Sequence, residues 1–95
     1  MAKRILIIDD DKEFCEELAD ILRDQQFDVS TANDAAQGEQ LARENAYDIV
    51  LLDFKMPGLN GLEMVKKIKA ARAGFKVLLI TGRPFMENVL KNDFA

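Results

Sequence analysis

Ninety-five residues, 48% of them hydrophobic, suffice for a single core and predict one domain over 1–95. Thirteen Lys and Arg against seventeen Asp and Glu leave a net charge of −4, which argues against direct nucleic-acid contact because phosphate binding needs a basic stripe. Histidine is absent and Cys15 is the sole cysteine, so neither an internal disulfide nor a Cys/His metal cluster can form; with no apolar run of membrane-spanning length, a soluble protein of the reducing cytoplasm is expected.

Taken in chain order, Ile5 to Ile8 is a short continuous apolar run that reads as a strand covered on both faces. Asp9-Asp10-Asp11 follows, where Asp10 or Asp11 is placed to cap a helix whose apolar stripe is Phe14, Leu18, Ile21 and Leu22. Cys15 reads as a small residue in or beside that helix, with no basic neighbours to make it reactive. Val29 to Ala32 is the second strand. Asn33 or Asp34 caps a second helix, weakly marked by Leu41 and Ala42. Ile49 to Leu52 is the third strand, closing on Asp53 and the turn Met56-Pro57-Gly58. Asn60 caps a third helix carrying Leu62, Val65 and Ile68; Lys66, Lys67, Lys69 and Arg72 form its solvated face, and Gly74 stops it. Val77 to Ile80 is the fourth strand, ending at Thr81-Gly82. Pro84 then opens a fourth helix, with Phe85 and Val89, and Met86, Leu90 and Phe94, at helical spacing.

Short apolar strands alternating with helices predict an α/β parallel sheet, and right-handed crossovers bring Asp9, Asp10, Asp53 and Thr81 to one edge. Alone, an Asp-Asp pair after a strand is a helix cap and a lone Asp at a strand end is a turn residue. Together they are costly unless a cation or protonation compensates them. Three oxygen donors without histidine or thiolate suit Mg²⁺, with Mn²⁺ as a substitute. A carboxylate beside such an ion can attack phosphorus and form an aspartyl phosphate. Asp53, held by a rigid turn, is the better nucleophile. The adjacent Asp9 and Asp10, whose side chains are expected to point in different directions, suit the metal. Thr81 offers a hydroxyl to a phosphoryl oxygen, and Lys55 and Arg83 flank the position.

Ile-Leu-Ile-Ile-Asp9-Asp10-Asp11, Asp48-Ile-Val-Leu-Leu-Asp53-Phe-Lys-Met56-Pro57-Gly58-Leu-Asn-Gly61-Leu-Glu63 and Val77-Leu-Leu-Ile-Thr81-Gly82 closely resemble the receiver domain of bacterial response regulators. The resemblance implies a flavodoxin-like doubly wound sheet and two-component phosphorelay signalling. It makes Asp53 the phosphoacceptor, Asp10 a direct Mg²⁺ ligand, Asp9 a ligand through water, and the Lys55 backbone carbonyl a further ligand. Thr81 becomes the switch hydroxyl, and Lys55 and Arg83 tune phosphoryl lifetime. The implied partner is a histidine kinase or phosphotransfer protein. Such a receiver is no turnover enzyme, although it catalyses its own phosphorylation and dephosphorylation.

The family's fifth strand, its Lys-Pro pair and its last helix have no counterpart, so a receiver truncated at Ala95 is expected; Lys91 does not match that lysine. An uncovered fourth strand and helix then predict a homodimer or a domain swap. Two other readings compete. A phosphatase of the haloacid-dehalogenase type would use Asp9 and Asp11 as nucleophile and acid/base, with Thr81 as its next motif, but leaves Asp53-Phe-Lys-Met-Pro unexplained. An interaction module would bind Mg²⁺ without being phosphorylated.

Overall fold

The computed structural model describes residues 2–53, 61–71 and 76–80. Within them the order is β1 (Arg4–Ile8), α1 (Lys12–Asp24), β2 (Asp28–Ala32), α2 (Ala35–Glu44), β3 (Ile49–Asp53), α3 (Gly61–Ala71) and β4 (Lys76–Ile80). Each strand differs from its expected range by one residue at one end. The fourth helix over 84–94 lies outside the described residues, as do Asn60, Arg72 and Gly74.

All strands are parallel in the order β2-β1-β3-β4. This is the flavodoxin-like arrangement, in which the chain reverses direction across the sheet between β1 and β3. β1 is flanked on both sides, pairing Ile5 with Val29 and Ile49, and Ile8 with Ala32 and Leu52. Its four aliphatic side chains are fully buried, each contributing roughly 2 kcal/mol.

Strand period 2 sorts the core into two layers. Ile5, Ile7, Val29 and Leu51 face Cys15, Leu18, Ala19 and Leu22 of α1. Leu6, Ile8, Ala32, Val50 and Leu52 face the other way, against Ala42, Leu41 and Val65 of α2 and α3. The β1–α1–β2 crossover runs one way across the sheet and the β2–α2–β3 and β3–α3–β4 crossovers run the other, so right-handed connections place α1 on one face and α2 and α3 on the opposite one.

The apolar stripe of α1 is displaced from the expected one. Ile21 is 52% exposed, and Cys15 and Ala19 are buried in its place beside Leu18 and Leu22. Reading only large side chains put the stripe too far round the helix, because the close approach of α1 to the sheet selects small residues.

Helix ends follow local chemistry. Asp11 is the N-cap of α1, its Oδ1 accepting the Phe14 N–H at 3.0 Å, and Asp34 caps α2 by accepting the Gln37 N–H at 2.7 Å. At the C-terminus of α1 the Phe27 N–H donates to the Leu22 carbonyl and the Gln26 N–H to the Arg23 carbonyl, a Schellman closure with Gln26 at φ 73°. That left-handed position favours glycine. Gln26→Gly is therefore expected to raise stability by about 0.5–1 kcal/mol in urea unfolding, the relief of Cβ strain outweighing the extra unfolded-chain entropy. Among the described residues, no helix is long and apolar enough to cross a membrane.

Candidate functional site

The β1 chain leaves the sheet at Ile8, and the next residue is already anchored on both sides. The Asp9 N–H donates to the Ala32 carbonyl at 3.0 Å, continuing the β1–β2 ladder by one bond. The Asp9 carbonyl accepts from Asn33 Nδ2 at 3.1 Å and from Cys15 Sγ at 3.4 Å. Its side chain turns back, Oδ1 accepting the Asp11 N–H at 2.9 Å. This compact turn leaves Asp9 5% exposed and Asp10 in solvent.

Asp53 closes β3, the strand beside β1, where Ile8 pairs with Leu52. One carboxylate oxygen from each of Asp9, Asp10 and Asp53 lies within 4.8 Å of the others. The expectation that the neighbouring side chains of Asp9 and Asp10 diverge does not hold. Strict alternation ends with the strand at Ile8, and the following bend lets both carboxylates reach one point. Thr81, Lys55 and Arg83 lie outside the described residues.

Electrostatics mark the cluster as strained without a counter-charge. Burial, reinforced by the Asp53 charge, pushes the Asp9 carboxyl from 3.8 up to about 6, against the lowering effect of the Asp11 N–H. Burial likewise pushes the Cys15 thiol up to about 12, with the Asp9 and Asp11 charges adding to it. Cys15 is thus a protonated donor rather than a reactive thiolate. The Asp9 shift fixes a sign: the folded protein holds this proton to higher pH than the unfolded chain. Its stabilising contribution is complete below pH 3.8 and lost as pH rises through about 6. With chelator present, Asp9→Asn is expected to gain on the parent protein by about 2 kcal/mol between pH 4 and 7 in paired thermal melts. A pH-independent difference would show that Asp9 carries no such burden.

Three hard oxygen donors, free of histidine and thiolate, fit a divalent cation of the Mg²⁺ kind, and the mutual repulsion at Asp9 is what such an ion would relieve. Sequence spacing identified all three donors. It did not single out Asn33 or Cys15 as neighbours of the cluster, since one reads as a cap and the other as a small apolar residue. Asp11, required as acid/base by the phosphatase reading, caps α1 instead.

The family model described as the response regulator receiver domain matches residues 5–92. Among curated relatives, the DNA-binding response regulator MtrA of Mycolicibacterium smegmatis is 35% identical over 83 residues, covering 87% of this chain and 36% of that protein. The CpxR homolog of Haemophilus influenzae, a transcriptional regulatory protein, is 40% identical over 80 residues, covering 84% and 34% respectively. The chain thus spans about a third of the length of the curated relatives it matches. A CheY-like receiver domain protein from Methanospirillum hungatei superposes with a TM-score of 0.79 at 26% identity, covering 96% of this chain and 75% of that one. A receiver domain protein from Clostridium thermocellum gives 0.78 at 28%, covering 94% and 72%. With its fold, its sheet order and this match in hand, the chain belongs to the response regulator receiver domain family of two-component signalling.

Proposed function

We propose that residues 1–95 act as a single receiver unit that takes a phosphoryl group on Asp53, with Mg²⁺ held by Asp9, Asp10, Asp53 and the Lys55 backbone carbonyl. The observation that carries this reading is the meeting of three carboxylates at the C-terminal ends of two neighbouring parallel strands, both deep in the sheet. Bound there, the cation supplies charge neutralisation to the carboxylates and to the phosphoryl oxygens. Mn²⁺ meets the same donor requirements.

A carboxylate oxygen of Asp53 attacks phosphorus in line. A P–O bond forms to Asp53 as the P–N bond to a phosphohistidine breaks, and the bonding pair leaves with the imidazole. Because this chain has no histidine, the donor is a histidine kinase or phosphotransfer protein. Asp9 supports the site from beneath through its buried carboxylate, and Asp10 from the solvent side. Thr81 moves its hydroxyl toward the new phosphoryl group as the switch, while Lys55 and Arg83 set how long that group persists. The chemistry is self-phosphorylation and self-dephosphorylation rather than turnover of a free substrate. We place the protein in the cytoplasm.

The relatives named as DNA-binding are proteins of which this chain matches about a third. A net charge of −4 supports output through protein contacts, not through nucleic acid bound by these residues. Among the described residues β4 pairs on one side only, with β3. Self-association through the fourth strand and helix, as a homodimer or domain swap, is part of this proposal; a light-scattering mass of one chain at micromolar concentration would remove it.

The central test is incubation of the protein with acetyl phosphate and Mg²⁺. Intact mass should increase by one phosphoryl group. An unchanged mass under conditions where Mg²⁺ binding is measurable would leave the interaction-module reading in its place.

A further inference from the structure

The backbone carbonyl of Asp9 is the meeting point of two side chains from separate elements. Asn33 Nδ2, from the segment joining β2 to α2, donates to it at 3.1 Å, and the thiol of Cys15, the fourth residue of α1, donates at 3.4 Å. Asn33 lies beside Cys15 as well as beside Asp9. Its own N–H donates to Gln37 Oε1 at 3.1 Å, and Asp34 caps α2 next to it, so the donor sits on a hydrogen-bonded turn. Cys15 is 1% exposed and packed in the α1 core layer.

A peptide unit is planar. Fixing the Asp9 carbonyl therefore fixes the plane shared with the Asp10 nitrogen, and with it the direction in which Asp10 leaves. The Asp9 N–H is already bound to the Ala32 carbonyl. Both peptide planes flanking Asp9 are thus pinned, one by β2 and one by the Asn33 and Cys15 pair. We propose that Asn33 and Cys15 are positioning residues for the acidic cluster, holding the Asp9–Asp10 peptide so that both carboxylates meet Asp53. Neither side chain donates a ligand. They act by keeping the three oxygens together against their mutual repulsion, at a point beyond the strand where the sheet no longer does so.

This inference rests on the cation reading given above, and the experiment separates the two. Mg²⁺ titration calorimetry is run on the full chain as the parent protein and as Asn33→Ala, Cys15→Ala and Cys15→Ser. Asn33→Ala and Cys15→Ala are each expected to weaken Mg²⁺ binding by about tenfold, while Cys15→Ser, which keeps a hydroxyl donor, stays within about threefold of the parent. A purely structural role would lower the melting temperature and leave the affinity of the folded fraction unchanged. If the parent binds Mg²⁺ and both alanine variants bind it equally well, positioning is overturned and the cation site stands. If the parent binds no Mg²⁺, the cation reading itself falls, and this inference with it. Should Asn33→Ala fail to fold, Cys15→Ala against Cys15→Ser decides the matter: equal affinities overturn the proposal and a serine rescue supports it.

Discussion

Asp53→Asn is expected to reduce the phosphoryl adduct formed with acetyl phosphate and Mg²⁺ to background, as read by intact mass. The substitution keeps the shape of the side chain and removes the anionic oxygen that attacks phosphorus, so no bond to phosphorus can form at this position. It also removes one of the charges that raise the Asp9 carboxyl. The variant should therefore fold at least as well as its parent in chelator, which separates lost chemistry from lost structure. An adduct at parental level would move the nucleophile elsewhere. Asp9 and Asp10, its two carboxylate neighbours, would then be the next candidates.

Gly38→Ala is expected to destabilise the fold even though alanine is the better helix former. A Cβ at position 38 would lie 2.6 Å from Ile8 Cδ1, 2.9 Å from Cγ1 and 3.1 Å from Cγ2. Ile8 cannot yield easily. It is β-branched, fully buried, and packed among Leu6, Ala32, Val50 and Leu52 on the α2 face of the sheet. Overpacking of this kind costs about 1–3 kcal/mol, against at most about 1 kcal/mol gained from helix propensity. The net loss in urea unfolding should be about 1–2 kcal/mol. Ile8→Val in the same background removes Cδ1 and should recover part of it, a non-additivity that identifies the contact. Unchanged stability of Gly38→Ala would show that α2 simply moves outward. Because Ile8 immediately precedes Asp9, the variant should also loosen the cluster, and a weaker Mg²⁺ affinity would register that.

Much of this architecture was legible along the chain because its signals are local. Ile5 to Ile8 and Ile49 to Leu52 are unbroken apolar runs, and a strand buried on both faces produces such a run wherever it occurs. Asp11 and Asp34 were among the expected caps, since a carboxylate two or three residues ahead of free N–H groups acts through the backbone alone. The α1 stripe was harder. Ile21 has the right spacing for the core yet is exposed, because distance from the sheet, rather than hydrophobicity, selects which side chains of α1 are covered.

The amino-acid order by itself determined the parallel α/β character, the family motifs, and the identity of Asp9, Asp10 and Asp53 as the acidic residues worth watching. Only the tertiary structure decided that Asp9 and Asp10 reach the same point, and that Asn33 and Cys15 grip the carbonyl between the two carboxylates. The reason is physical. Periodicity and capping are properties of a few consecutive residues, whereas the direction of a side chain beyond a strand end is set by bonds to β2 and α1, which the chain reaches only after folding.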